Sequence, residues 1–337
     1  MFSFTIDYQL AYNNSSNAKD ESGAIISVGA GHSQLSLIRA IKAAGYKCVA
    51  FDRDASAPGG SFADAFFECS THDADAAISQ LSEIALPFKA VMVKAAGQPV
   101  VTAAKIARHF HLDFLAPHVL ESIIWKDALV EFARAHDIRV AETVANVNGN
   151  VPDDFFPAVL RPNRDIRGRE TCYLVHNKEE MSQRLKKNSH PDAAGHSLSR
   201  YLEGRDLVLV IVFDASRKNW RGLWLTEENK FQSDGSISFN GFVPTTDVND
   251  SVCQQAMRTV EKVVHFSGAW RACMMFSFRV TTDDLVYLIE IHPDLGGEGV
   301  VDDVIPNFLG QPFLTDLVRF YAGDLDQLKY LKKVFRG

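Results

Sequence analysis

Hydrophobic and polar positions follow two different periods in the two halves of this chain. From residue 24, AIISV is apolar but for Ser27, GAGHSQ turns, LSLIRAIKAA carries an apolar stripe at helical spacing, and CVAF within KCVAFD is apolar again. Strand, amphipathic helix, strand is the pattern of a βαβ unit in a parallel sheet. The alternation continues with a helix over 74–85, a short buried strand over 89–93, a helix over 99–110 and a short strand over 112–117. Residues 119–145 read as two helices, the second opening at Lys126-Asp127, and then a strand ending near Glu142-Thr143.

Strand patterns dominate the second half. Residues 155–185 read as strand, loop, strand and helix, with Asn177 as N-cap and Glu180 three residues later closing a capping box. Residues 196–214 form a strand, a glycine turn and a long apolar strand, and 219–231 continue an antiparallel sheet. The stretch 233–247 reads as a polar, glycine-bearing loop. Val252, Ala256, Val260, Val263 and Val264 place one apolar stripe on a helix over 248–268. MMFSFRV and LVYLIEIH flank the turn TTDD as a hairpin, and 308–323 and 324–335 close the chain as two helices. The predicted fold class is α/β followed by α+β: a parallel N-terminal part, then an antiparallel part.

The composition narrows the function. The chain has 337 residues, 46% of them hydrophobic and 23% charged, with a formal net charge of −7. This describes a globular protein with room for two or three domains or one large α/β assembly. Lys and Arg form no block, which argues against nucleic acid as a partner. No run of about 18 apolar residues predicts a membrane span. The first 22 residues lack a basic start and a compact apolar core, so they read as an extension and not as a signal peptide. Five scattered cysteines with no CxxC pair fit a reduced, cytoplasmic protein.

Candidate chemistry concentrates in 273–299. Glu290 lies between Ile289 and Ile291 in a strand expected to be interior, and a buried carboxylate needs a cation or strong donors. His292, two residues on, points to the same face. Pro293 ends the strand, and Gly296 and Gly297 permit close backbone approach. A metal–phosphate platform is one reading; an edge strand with Glu290 in solvent is the other. Near the N-terminus, GAGHSQ holds part of a dinucleotide fingerprint and Asp52 ends the second strand, so a nicotinamide-dependent oxidoreductase is an alternative. His109 and His111 do not share a helix face and read as surface residues. No Ser-His or Cys-His nucleophile signature stands out.

The order of motifs along roughly 24–322 resembles the ATP-grasp superfamily. LIEIHPDLGGEG is similar to that family's terminal strand, Glu-x-Asn-Pro-Arg followed by glycines. KDALVEFARAHDIRVAET resembles its Lys-bearing helix start and the strand after it. FFPAVLRP resembles its phosphate-binding strand, with Arg161 at the place of a Lys, and SRYLEGRD resembles the hinge of its nucleotide cleft. The resemblance implies a 1–22 extension, a 23–117 Rossmann-like domain, and a 118–337 ATP-grasp domain with a lid over about 140–203 and a catalytic part over about 204–337. It also implies an ATP-dependent, ADP-forming ligase that joins a small-molecule carboxylate to an amine through an acyl phosphate, with Mg²⁺ or Mn²⁺ as cofactor and a homodimer as a family-level expectation. A non-catalytic relative that binds a nucleotide or metabolite is the alternative.

On this resemblance Glu290, Arg161 and Arg279 would be catalytic. Lys126, Arg161, Arg167, Gly168, Tyr201, Leu202 and Asp206 would hold the nucleotide. Glu290, His292 and Ser277 would hold the metal, and Asp294, Gly296, Gly297, Gly31 and His32 would face substrate. The chain departs from the family pattern at Ser277, usually acidic or amide, at His292, usually Asn, and at Asp294, usually Arg. The loop 164–170 has one glycine, and Arg164, Arg167 and Arg169 offer charge in place of backbone N–H groups.

Overall fold

The computed structural model describes residues 23–145, 147, 151–163, 172–187, 195–214, 219–267, 271–296, 299–324 and 326–333. The extension 1–22, the loop 164–170 with Arg167 and Gly168, and Gly297 lie outside these residues. The N-terminal half is β1 (Ala24–Val28), α1 (Leu35–Ala43), β2 (Lys47–Asp52), β3 (Ala65–Glu68), α2 (Ala74–Leu81), β4 (Phe88–Val93) and α3 (Gln98–His109). Its strands form a parallel sheet in the order β3-β2-β1-β4. The order reverses between β1 and β4, which makes that crevice a topological switch point.

Two helices, α4 (Pro117–Ile124) and α5 (Lys126–Ala135), lead into a small antiparallel sheet. Its strands are β5 (Thr143–Val144), β6 (Ala158–Pro162), β7 (Tyr173–Val175) and β8 (His196–Arg200), in the order β5-β8-β6-β7, with α6 (Lys178–Lys187) between β7 and β8. Asn177 caps the helix as expected, with Glu180 N–H donating to Asn177 Oδ1 at 3.0 Å, while the return bond to Glu180 Oε2 comes from His176 N–H at 2.8 Å, one residue before the cap.

The larger antiparallel sheet contains β9 (Gly204–Asp214), β10 (Asn219–Phe231), β11 (Ile237–Thr245), β12 (Arg271–Thr281) and β13 (Val286–His292), in the order β11-β10-β9-β12-β13. The helix α7 (Asp250–Ser267) precedes β12, and a π-helical turn Val300–Val304, α8 (Ile305–Leu309) and α9 (Phe313–Tyr321) follow β13. Leu207, Leu209, Ile211 and Phe213 pack into one core with α3, α4 and α7, while Val208, Val210 and Val212 pack into a second with α1 and α9. Both faces of β9 are therefore covered, which is why its sequence runs continuously apolar.

Three expected elements differ. Residues 112–116 form no strand; Pro117 instead opens α4, where its missing N–H is harmless. The loop expected over 233–247 is mostly β11, because eight of that strand's nine residues find register partners on β10. Where a terminal helix is expected over 324–335, the described residues 326–333 form turns and a short strand, β14 (Lys332–Lys333), paired with Arg221 and Gly222 of β10. Arg221 Nη1 donates to the carbonyls of Lys329 and Leu331, which holds this segment out of helical register.

The small sheet is also tied to the β10–β11 hairpin by backbone. Leu174 N–H donates to Gly235 O at 2.8 Å and Ile237 N–H donates to Cys172 O at 2.9 Å. A bridge between Tyr173 and Ser236 lies between these bonds.

Candidate functional site

The two antiparallel sheets and α5 enclose a cleft with about 970 Å³ of empty space, its open mouth included. Most of its exposed wall is apolar, from Leu129, Val130, Val140, Val159, Ile237 and Leu288, with polar groups converging at a few places. Such a surface suits a ligand with one flat apolar part and one charged part.

Seven of the expected site residues line this cleft: Lys126, Arg161, Tyr201, Leu202, Asp206, Arg279 and Glu290. They come from α5, β6, the β8–β9 connection, β9, β12 and β13, so only the tertiary fold brings them together. Lys126 is the first residue of α5, and its own N–H donates to Asn163 O at 3.4 Å, which ties the helix start to the end of β6. Among the described residues the Lys126 ammonium has no hydrogen-bond or ion-pair partner. Arg161 donates from Nη2 to Ser199 Oγ at 3.5 Å, while its buried Nε–H has no partner among the described residues. A buried guanidinium N–H left without an acceptor is costly, so this atom calls for an anion or carbonyl from a ligand.

One row across four strands organises the floor. Glu227 of β10, Asp206 of β9, Arg279 of β12 and Tyr287 of β13 are directly opposed in register. Arg279 Nε lies 3.0 Å from Asp206 Oδ1, and Arg279 Nη1 donates to Gly204 O at 3.0 Å. Asn229 Nδ2 donates to Asp206 Oδ2 at 2.9 Å and to Glu227 Oε1 at 2.7 Å. The guanidinium also lies 5.7 Å from the centre of the Tyr201 ring, a cation–π distance. Asp206, expected at the ribose, is thus already engaged by Arg279 and Asn229. Glu227 is only 5% exposed and lines the same wall, so a second carboxylate stands beside it. Glu227 and Asn229 escaped sequence reading because 219–231 reads as plain strand; TEEN in an otherwise apolar run is the signal that would have flagged them.

At the end of β13 the carboxylate of Glu290 has a cation from its own strand. Glu290 Oε1 lies 3.2 Å from His292 Nε2, and His292 Nδ1 lies 3.8 Å from Asp294 Oδ2. Burial works against a charged ring, yet Glu290 and Asp294 outweigh it and push the His292 pKa up to about 10. Ser277 is buried and stands opposite Glu290 in register, outside the cleft lining. Asp294 is 3% exposed and accepts from Gly296 N–H at 2.6 Å, so it shapes the exit turn and does not face the cleft. Gly296 has φ +67, and an added Cβ would stand 2.8 Å from Met275 Cε.

Gly31 and His32 sit elsewhere, in the turn after β1, with His32 exposed. The Asp52 carboxylate is used by that turn: Oδ2 accepts from Ala30 N–H at 2.9 Å and Oδ1 from Asp54 N–H at 3.1 Å. It is therefore engaged with backbone and not presented to a ribose. No helix among the described residues is long and apolar enough to cross a membrane.

No protein-family model matches the chain, and no curated protein matches it in sequence. Solved structures do match in fold. An L-amino acid ligase from Bacillus licheniformis superposes with a TM-score of 0.72 at 14% identity, covering 94% of this chain and 78% of that one. Phosphoribosylglycinamide synthetase from Anaerococcus prevotii matches with a TM-score of 0.66 at 15% identity, covering 90% and 75%. A biotin carboxylase–ATP complex from Campylobacter jejuni gives a TM-score of 0.66 at 15% identity, covering 93% and 74%. These are ATP-grasp enzymes, and the chain shares their fold: a parallel α/β half joined to two antiparallel sheets around a cleft.

Proposed function

We propose that the cleft binds ATP and that the chain is an ATP-dependent ligase joining a small-molecule carboxylate to an amine. The observation that carries this reading is the buried Arg161 Nε–H without an acceptor, in the same cleft as the Lys126 ammonium. Lys126 and Arg161 line one cleft together with an apolar wall, Tyr201 and Leu202, a combination that suits a triphosphate and a base. The solved structures that share the fold include ligases and ATP or ADP complexes, which supports the same reading.

In this reaction a substrate carboxylate oxygen bonds to the γ-phosphorus as the bond to the β-phosphate oxygen breaks, releasing ADP. An amine then attacks the acyl carbon, phosphate leaves, and the nitrogen gives up a proton. Lys126 and Arg161 offset the charge on the phosphates, while Arg279, fixed by Asp206, lends positive charge to the floor. Among the described residues no group of three or more His, Cys, Asp or Glu side chains is arranged to hold a metal.

A second reading, nucleotide binding without turnover, is favoured by one observation: the carboxylate of Glu290 is paired with His292, and Ser277 opposite it brings no charge. ADP release measured across amino acids and small carboxylates separates the two. A ligase releases ADP only when both substrates are present. ATP binding with no release in any combination supports the second reading, and an unchanged melting temperature at millimolar ATP sinks both.

A further inference from the structure

Together with Lys126 and Arg161, the cleft wall carries two hydroxyls, Thr143 and Ser199, whose hydrogen bonds have a fixed direction. Thr143 Oγ1 donates to Ala141 O at 2.9 Å. A carbonyl cannot donate, so the single hydroxyl proton of Thr143 is used there. Thr143 Oγ1 also lies 2.9 Å from Ser199 Oγ, and in that bond Ser199 must therefore be the donor. The Ser199 proton is committed in turn, and its lone pairs remain for Arg161, whose Nη2 donates to Ser199 Oγ at 3.5 Å. The bonds run one way, from Arg161 through Ser199 and Thr143 to Ala141 O. Strand register sets this order: Thr143 of β5 and Val159 of β6 stand opposite Ser199 on its two sides, and Arg161 follows Val159 on the same face. Thr143 and Ser199 are each 7% exposed. The main chain of Thr143 serves the other cation. Arg134 Nη2 donates to Thr143 O at 2.8 Å, which ties β5 to α5, the helix that opens with Lys126.

We propose that Thr143 and Ser199 are positioning residues for the phosphate end of the nucleotide: their relay holds the Arg161 guanidinium by Nη2, leaves its unpartnered Nε–H for a phosphate oxygen, and turns the Ser199 proton away from the ligand. This rests on the nucleotide reading of the cleft. The relay acts in two ways. A guanidinium that already has an acceptor loses less rotamer freedom when the ligand arrives, so less of the binding free energy goes into ordering it. Ser199 also shows the cleft an oxygen lone pair, which a phosphate oxygen avoids, so the anion is directed to the N–H donors of Arg161 and Lys126. Both effects need Thr143 as the terminal acceptor, because without it the Ser199 hydroxyl is free to turn its proton toward the ligand.

The test is a double-mutant cycle on the full chain, read by calorimetric titration with ATP in excess Mg²⁺. Thr143→Val keeps the shape of the side chain and removes the acceptor. With Arg161 present it should weaken ATP binding by about threefold or more, the worth of one hydrogen bond in the relay. With Arg161→Ala in the same chain the loss should shrink to less than about twofold, because no guanidinium is left to hold. Thr143→Ser keeps the hydroxyl and should bind ATP within about twofold of the unaltered protein. A loss below about threefold with Arg161 present shows that the hydroxyls do not act on the site, and a loss of about twofold or more that persists with Arg161→Ala shows that Thr143 only supports the fold. Either result overturns the inference, as does a Thr143→Ser protein that binds ATP more weakly than stated. Ser199→Ala cuts the same relay one step nearer Arg161 and carries the cycle if Thr143→Val does not fold. The two readings fail differently. An unaltered protein that does not bind ATP, or whose binding ignores Arg161→Ala, overturns the nucleotide reading and the inference with it, whereas the relay alone falls when Arg161→Ala weakens binding and Thr143→Val does not.

Discussion

Gly204→Ala tests whether the cleft floor is as tightly registered as the structure shows. Gly204 opens β9 with φ +153, and a Cβ there would lie 2.0 Å from Val280 O, 2.8 Å from Val280 C and 2.9 Å from Thr281 Cα. All three neighbours are backbone, so no rotamer change relieves the overlap, and β12 must retreat by more than an ångström. That displacement opens the Gly204–Thr281 rung and the Arg279 Nη1 bond to Gly204 O. Strain at such a φ costs about 1–3 kcal/mol. Overpacking adds about 1–3 kcal/mol, and a lost charged hydrogen bond about 1.5–3 kcal/mol. These terms overlap, and a net destabilisation of about 3–5 kcal/mol is expected, a fall in Tm of about 5–10 °C for a chain of this size. Gly241→Ala is the control, because a Cβ there meets nothing within 4 Å. Scanning calorimetry of both variants at one scan rate checks the argument. If their melting temperatures differ by less than about 2 °C, the close approach of β9 and β12 at Gly204 is not real.

Arg161→Ala should keep the fold and weaken ATP binding by about ten- to a hundredfold, the worth of one charged hydrogen bond, as read by calorimetry. Asp302→Ala strands the Lys94 ammonium, which is 3% exposed and 3.1 Å from Asp302 at the end of β4; urea unfolding should show a loss of about 3 kcal/mol, and less for Lys94→Met/Asp302→Leu. The folded His292 pKa lies above its ordinary value, so its contribution is whole below pH about 6.5 and disappears as pH rises through about 10. Stability should therefore fall over that window more steeply than in His292→Asn; with the ring a third exposed, solvent screening holds the difference to about 1–2 kcal/mol. Equal slopes in urea unfolding across that window would refute the pairing.

Much of the scaffold was legible because local pattern and tertiary environment agree. The α7 stripe predicted from Val252 to Val264 is buried, and the β12–β13 hairpin turns where TTDD interrupts the apolar runs. Glu290 was legible as a carboxylate needing a cation, and His292 as its neighbour on one face. Which cation answers it was not legible, because ring and carboxylate choose each other only once Asp294 holds the far side. The row from Glu227 through Asp206 to Arg279 was also hidden: its members lie on strands whose register depends on the whole sheet. β11 and the C-terminal turns were misread for the same reason, since each takes its conformation from β10 and not from its own sequence.

The two backbone bonds that join β7 to the β10–β11 hairpin have a consequence in time. With the chain connection at Arg200–Gly204, they make the cleft wall a closed loop of main chain, fastened at Leu174–Gly235 and Ile237–Cys172. For the small sheet to swing away from the larger one, both fastenings must part together. The amide protons of Leu174 and Ile237 should then trade with deuterium at one common rate, set by the opening of that loop. A ligand seated in the cleft would slow both to the same degree, so two hydrogens form a built-in clock for how often the cleft stands open.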